Sequence, residues 1–349
     1  MAEKKLLYEV SIIRPLIIFL LVVLHSFTMY GGGWSLPDGI DEVGVYYWLC
    51  KLISGFRVET IALIAGYVFA YQSVVLGRKY EFKSFALKKI KRLLFPMLFF
   101  GLIYYFCFKF NAETFSWTEF LMSIFSGVGH LWFLPMLFWC FISIWAVDRF
   151  KLSSIWLFCI LAVISLIPIP ISLPFGFQRL TYFLFYCYAG YYLYLNKALV
   201  LSRMSNIPAI TILWVLYFSL LLVNYLVVAP AGWESGVVGY ERYARILVSA
   251  FLKLLYSCCG ILAIYLIVTK FTEKTSYQPK KWIIESSSLC YGVYVYHQFL
   301  LVFLYYYTGL PTLVGTYWLP FVGFTIALTL SVLLAKLTLK TKFGRMLIG

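Results

Sequence analysis

The stretch "RPLIIFLLVVLHSF" (Arg14–Phe27) is almost wholly apolar, yet it begins with an arginine and carries a histidine, His25, near its far end. A membrane-spanning helix needs about 20 apolar residues, and this stretch with its flanks is long enough. Ionisable groups inside a membrane are costly, so their presence points to function by default. The stretch therefore predicts a membrane helix that carries chemistry.

The composition indicates a membrane protein. The chain has 349 residues, of which 63% are hydrophobic and only 12% charged. A soluble domain of this size needs more polar surface. The first thirty residues resemble a secretory signal, with Lys4 and Lys5 before an apolar run. No small-x-small cleavage site follows that run, so we interpret it as a retained first span.

Apolar runs predict an all-α fold, a polytopic bundle of about ten transmembrane helices in one domain, 1–349. The predicted spans are about 12–30, 48–74, 93–110, 131–147, 154–170, 179–195, 208–229, 246–268, 287–308 and 313–336. The fifth is the weakest, because the prolines of "IPIPISLP" (167–174) end it.

Most of the 29 lysines and arginines fall in loops on one side of the predicted membrane. Cytoplasmic loops are enriched in these residues, so the pattern predicts that both termini are cytoplasmic. It also explains the net charge of +15 without nucleic acid as a partner. The basic loops would face the anionic headgroups of membrane lipids.

Arg14 and His25 are predicted to share one face of the first helix. Eleven residues separate them, which returns to nearly the same face about 16 Å along the axis. Pro15 suits a first helical turn, so Arg14 is expected at the cytoplasmic rim and His25 beyond the midplane. A histidine in a helix is often only a satisfied hydrogen-bonding residue, but the shared face favours a functional role.

The second span begins near "FRVETIALIAGY" (56–67), which places Arg57 and Glu59 at about the depth of His25. Two interpretations stay open. Arg57 and Glu59 could form a structural salt bridge. Alternatively, Glu59 could orient the imidazole, since carboxylates commonly fix the tautomer of a catalytic histidine.

The segment "RKYEFKSFALKKIKRLLFP" (78–96) is strongly basic. It could be an ordinary cytoplasmic loop. However, Lys88, Lys89 and Arg92 stand at the mouth of the third span, and such a cluster suits a polyphosphate ligand.

The other two histidines also fall in or beside predicted spans. His130 and Trp132 lie in "GHLWFLPMLFW" (129–139), which could be an interfacial aromatic belt. His297 lies in "CYGVYVYHQF" (290–299), one turn after Tyr294, and could be a core histidine bonded to a neighbour. Both remain candidates for a site.

Together these motifs resemble the acyltransferase-3 family of integral membrane acyltransferases. The resemblance rests on Arg14-x10-His25, "KKIKRLLFP" (88–96), "HLWFL" (130–134), "RLTYFLFYCYAGYYL" (179–193) and "YGVYVYH" (291–297). It covers nearly the whole chain. The family's R-x-x-R motif is Lys89-x-x-Arg92 here, and Cys290 stands where the family often has serine.

The resemblance implies transfer of an acyl group, usually acetyl, from cytosolic acyl-CoA to a hydroxyl of a surface or envelope glycan or a lipid-linked sugar. Acetyl-CoA would be a co-substrate, no metal is expected, and the location would be a bacterial cytoplasmic membrane. The implied donor-binding residues are Arg14, Lys88, Lys89 and Arg92; the catalytic residues are His25, Arg57 and Glu59; and the acceptor-side residues are His130, Trp132, Arg179, Tyr294 and His297.

Two other classes of protein are alternatives. A proton-coupled transporter or lipid-linked sugar flippase would also use intramembrane histidine, arginine and glutamate. The chain shows no repeated halves, which many such transporters have. A purely structural membrane subunit would not need three histidines in its spans.

Overall fold

The computed structural model describes residues 7–167, 169, 173–228, 240–274 and 280–349. In these ranges the chain is helical, with loops between helices and no β-strand. Lys4, Lys5 and residues 168 and 170–172 of the proline-rich segment 167–174 lie outside the described residues.

The helices of the first half are α1 (Tyr8–Phe27), α2 (Gly44–Ser54), α3 (Arg57–Val74), α4 (Phe82–Lys89), α5 (Phe95–Phe108), α6 (Trp117–Ser126), α7 (Phe133–Arg149) and α8 (Ile155–Ser165). Those of the second half are α9 (Leu180–Leu195), α10 (Lys197–Met204), α11 (Ile207–Val223), α12 (Tyr240–Lys274), α13 (Lys281–Tyr306), α14 (Leu310–Val314), α15 (Leu319–Lys340) and α16 (Lys342–Ile348). A π-helical turn, Ile90–Leu94, joins α4 to α5, and another, Asn224–Val228, extends α11.

The all-α polytopic bundle expected from the sequence is confirmed. Helices occur at each of the ten predicted positions. Among the described residues, eight helical stretches are long and apolar enough to cross a membrane. The fifth and sixth predicted spans are shorter, because α8 has 11 residues and α9 has 16. For α8 the reason is the proline-rich segment that follows it.

The first helix begins earlier than the proline suggested. It starts at Tyr8, so Pro15 lies two turns inside it rather than in its first turn, and that expectation is wrong. The extra turns are stabilised because Glu9 accepts hydrogen bonds from Tyr67 (2.7 Å) and from Lys197 (3.0 Å). Arg14 therefore lies within the helix rather than at its first turn.

The second span is broken between α2 and α3 at residues 55 and 56. A break frees backbone carbonyls, which must find partners inside the protein when no water is present. The hydroxyl of Tyr217 donates to the Leu52 carbonyl, and that of Ser257 donates to the Gly55 carbonyl. The break is thus stabilised by two other helices, and it brings Arg57 to the first position of α3.

Two glycines let α3 and α9 approach each other backbone to backbone. A Cβ at Gly66 would collide with the Cys187 carbonyl, and a Cβ at Gly190 would collide with the Leu63 carbonyl. Small residues at helix crossings allow such close packing in membranes. The arrangement is reciprocal, so each helix contributes one glycine to the same crossing.

We expect Gly66→Ala to destabilise the protein by about 1–3 kcal/mol, because the added methyl group must push two helix backbones apart. The measurement is thermal unfolding in detergent. Gly44→Ala is the matched control, since a Cβ at Gly44 meets nothing within 4 Å. Equal melting temperatures for the two variants would contradict this account of the crossing.

Candidate active site

All three histidines of the chain meet in one place. His25 comes from α1, His297 from α13, and His130 from a 3-10 turn, Gly129–Trp132, that precedes α7. His25 Nδ1 lies 2.6 Å from His297 Nε2. The ring centroids of His25 and His297 are 4.9 Å apart with planes within 18°, and the ring centroid of His130 lies 5.1 Å from that of His297. The cluster joins residues that are up to 272 positions apart.

The turn that carries His130 is held by α13. Gly127 and Gly129 have positive φ values of 83° and 59°, which admit the sharp turn before α7. The Tyr294 hydroxyl donates to the His130 carbonyl at 2.5 Å. His130 Nε2 donates in turn to the Val295 carbonyl at 3.0 Å. This turn is therefore fixed against the helix that also carries His297.

The hydrogen bonds assign the proton on each ring of the neutral pair. His297 Nδ1 lies 3.0 Å from the Val293 carbonyl, and a carbonyl can only accept, so Nδ1 carries the hydrogen. Nε2 of His297 then has a lone pair and accepts from His25 Nδ1. His25 Nε2 is left with its own lone pair, which is the protonation state that a general base requires.

His25 opens onto a cavity of about 370 Å³. Its lining includes His25, Trp34, Lys51, Arg57, His130 and Trp132. The ring of Trp34 is nearly parallel to that of His25, with ring centroids 6.0 Å apart and planes within 7°. His25 thus has Trp34 and His297 as ring neighbours and the cavity beside it.

Arg57 and Glu59 do not form the salt bridge that was one interpretation of the sequence. In the described ranges the only ion pairs are those of Lys197 with Glu9 and Glu273. Arg57 Nε and Nη1 are buried without a hydrogen-bond partner. Glu59 is buried, and its Oε1 accepts from the Tyr182 hydroxyl at 2.9 Å.

Glu59 does not contact His25 in this structure. The Nδ1 partner of His25 is His297, which occupies the position proposed for a carboxylate. Glu59 is close enough to Arg57 for their charges to interact. Glu59 therefore lies near Arg57 and is bonded to the Tyr182 hydroxyl rather than to the imidazole.

A second group of cations lies toward the start of α1. Arg14 is within electrostatic range of Arg92 and of Cys290 on α13. Lys89 is within range of Arg92, and its ammonium lies 3.2 Å from the centre of the Phe141 ring. None of these three cations has an ion-pair partner among the described residues.

The basic cluster of Lys88, Lys89 and Arg92 lies in helical segments rather than in a loop before the third span. Lys88 and Lys89 end α4, and Arg92 lies in the π-helical turn Ile90–Leu94. The Arg92 carbonyl accepts from the Tyr291 hydroxyl at 2.9 Å. Such π-turns inside helices are frequent at functional sites. Lys88 is exposed and forms no ion pair within the described ranges.

Arg14 and His25 both face α13. Arg14 is near Cys290 of that helix, and His25 bonds to His297, two turns further along it. The two ends of the site are thus about 16 Å apart along α1. Arg179 stacks on Trp132, with its guanidinium carbon 3.9 Å from the ring, and its Nη1 is buried without a partner.

Trp34 and Lys51 are among the cavity residues that the sequence analysis missed. Trp34 follows "GGG" (31–33) in a loop, where nothing in the sequence indicates that it turns back onto His25. Lys51 precedes the break between α2 and α3 and is partly buried. A lysine inside a predicted span was a usable signal, because such residues are costly in a membrane.

A comparison with protein families identifies the family of the chain. The family model Acyl_transf_3, described as an acyltransferase domain, matches residues 7–339, nearly the whole chain. No curated protein and no solved structure matches the chain significantly. With the apolar helices and the histidine site, the match makes this protein a membrane acyltransferase, and the chain belongs to the acyltransferase-3 family.

Proposed function

We propose that the protein transfers an acetyl group from acetyl-CoA to a hydroxyl of a surface or envelope glycan, in a bacterial cytoplasmic membrane. The observation that carries the proposal is the free lone pair on His25 Nε2, which follows from the hydrogen bond between His25 Nδ1 and His297 Nε2. It belongs to a residue that lines a cavity. The acyltransferase family favours this activity over a transporter or flippase.

The donor would bind with its nucleotide at the Arg14 end. Arg14, Lys89 and Arg92 form one positive region without carboxylate partners in the described ranges. Phosphate groups would satisfy them. Acyl-CoA is cytosolic, and basic residues are enriched in cytoplasmic loops, so we assign this end to the cytoplasm. The pantetheine arm would run along α1 and α13 toward His25.

The reaction is a direct acyl transfer at His25. Nε2 accepts the proton of the acceptor hydroxyl while the hydroxyl oxygen forms a bond to the thioester carbonyl carbon. The tetrahedral intermediate then loses the sulfur, and the CoA thiolate takes the proton back from the His25 imidazolium. The products are an O-acyl ester and free CoA. General-base help of this kind contributes about 10²–10⁴-fold in rate.

Arg57 is the group best suited to the negative charge that develops on the carbonyl oxygen. Arg57 lines the same cavity as His25, and its Nε and Nη1 atoms lack hydrogen-bond partners. Donors kept free for the transition state are the usual device for such charge. Glu59 would act as the counter-charge that keeps Arg57 in place, with the Tyr182 hydroxyl holding Glu59.

The acceptor would enter the cavity from the side away from the Arg14 end. Trp132 lines that cavity and is backed by Arg179. Tyr294 and His130 support the wall through their mutual hydrogen bond. We therefore assign Trp132 to acceptor contact, and assign Arg179, Tyr294 and His130 to shaping the site.

His25→Ala should lower the turnover of acetyl transfer by about 10²-fold or more, because the general base is removed. The assay follows radiolabelled acetyl from acetyl-CoA into an envelope glycan fraction with purified protein. Affinity for CoA, measured separately, should be retained, since the donor phosphates lie at the Arg14 end. Normal acetylation by a well-expressed His25→Ala protein would refute the assignment.

Two substitutions separate the role of His297 as a hydrogen-bond acceptor from its role in filling space. His297→Leu removes the acceptor for His25 Nδ1–H, so kcat should fall by about 10-fold or more while KM for acetyl-CoA holds. His297→Gln keeps an oxygen that can accept this hydrogen and should retain more activity. If Leu and Gln variants of equal thermal stability lose the same activity, the tautomer argument is wrong.

Arg14→Gln and Arg92→Gln should each raise KM for acetyl-CoA by about 10- to 100-fold with little change in kcat, because a charge-assisted phosphate contact is lost. Lys79→Gln is the matched control, since Lys79 is exposed in the same basic segment. Acetyl-pantetheine lacks the nucleotide phosphates, so the variants and the unaltered protein should use it equally. An unchanged KM for acetyl-CoA would place the phosphates elsewhere.

A further inference from the structure

Two cations share the cavity beside His25. Lys51 and Arg57 both line it, and the lining contains no aspartate or glutamate. The remaining lining is aromatic or weakly polar, with Trp34 and Trp132 among its walls. The cavity is therefore positively charged.

Neither cation forms an ion pair in the described part of the chain, although Glu59 is close enough to Arg57 for their charges to interact. Lys51 Nζ donates to the Gly31 carbonyl at 3.2 Å and lies over the rings of Tyr47 and Tyr225, at 4.6 and 5.3 Å. The buried Nε and Nη1 atoms of Arg57 have no hydrogen-bond partner. Lys51 forms no ion pair in the described ranges. A cation partly enclosed in protein without a counter-charge is unfavourable, so the Lys51 side of this cavity is suited to an anion.

The donor does not bring that anion. Its phosphates would bind at the Arg14 end, about 16 Å away along α1, and a thioester carries no charge. The transition state brings one transient oxyanion, and Arg57, which lines the cavity and has two nitrogen atoms without a partner, is already assigned to it. Lys51 is a second cation on the wall of the same cavity. Lys51 is thus left without a role in the chemistry of transfer.

We propose that the acceptor carries a permanent anionic group, a carboxylate or a phosphate, and that Lys51 binds it. The inference rests on the proposed acyl transfer and names the class of its acceptor. Lys51 would hold the anion near the break between α2 and α3, while the hydroxyl to be acylated points at His25. A sugar acid or a phosphorylated sugar would meet both requirements.

The first test is the chemistry of the product. Glycans and lipid-linked sugars from the native host, with and without the gene, are compared by mass spectrometry for a lost acyl group. We expect the lost ester to be on a residue that carries a carboxylate or is itself phosphorylated, and fragmentation distinguishes these two sources. An ester on a neutral residue overturns the inference and leaves the acyltransferase intact. No change in any acylation would instead refute the proposed function.

The second test assigns the contact to Lys51, with the acceptor identified by the first. Lys51→Gln keeps a donor for the Gly31 carbonyl but loses the charge, so KM for the acceptor should rise by about 10- to 100-fold. The kcat and the KM for acetyl-CoA should hold. Lys51→Arg should restore most of the affinity. Lys109→Gln, at an exposed lysine outside the cavity, is the control.

An acceptor KM unchanged in Lys51→Gln would overturn the assignment. So would a fall in kcat alone, because that pattern indicates a disturbed loop rather than a lost anion contact. If Lys51→Gln does not insert stably, the product chemistry and the Lys51→Arg variant still decide the question.

Discussion

A polar group among apolar helices must find its partner inside the protein, because lipid offers none. This constraint accounts for the three features on which the site depends. The carbonyls freed by the break at residues 55 and 56 accept from Tyr217 and Ser257. The His130 turn is bonded to α13, and His25 is bonded to His297. Each bond ties a helix to another that is distant in sequence, so satisfying the polar groups also assembles the bundle.

Helices α1 and α13 together span the distance between the end assigned to the donor phosphates and the site of acyl transfer. Each helix contributes one residue to each end: Arg14 and His25 come from α1, and Cys290 and His297 come from α13. The pairing keeps the spacing of the two ends constant, since a rigid helix sets the rise between residues. A long, narrow co-substrate that carries phosphate at one end and a thioester near the other is well matched to this geometry.

Several polar atoms remain unpartnered at or beside the cavity, although buried polar groups are normally hydrogen-bonded. They include Nε and Nη1 of Arg57, Oε2 of Glu59 and Nδ1 of His130. Groups left free in this way cost stability, and they are acceptable where a substrate completes their bonding. Their concentration near His25 is therefore part of the physical case for a site there, independent of the family match.

The sequence by itself determined the class of the protein and most of its helices. Runs of about 20 apolar residues are sufficient to predict membrane helices, and the cost of ionisable groups in a membrane was sufficient to single out His25, His130, His297 and Arg57. It did not determine the partner of His25. Glu59 was one candidate for that partner because its depth was similar, whereas the structure has His297 there.

Only the tertiary structure decides which residue bonds to His25, and the reason is physical. Helical periodicity gives the depth and face of a residue on its own helix, but not the rotation of one helix about its axis relative to another. For the same reason the sequence did not identify Trp34, which returns to His25 from a loop, or Lys51, which lies on the cavity wall shortly before the break in the second span. Depth follows from hydropathy along the chain, while contact between distant helices follows from how all of them pack.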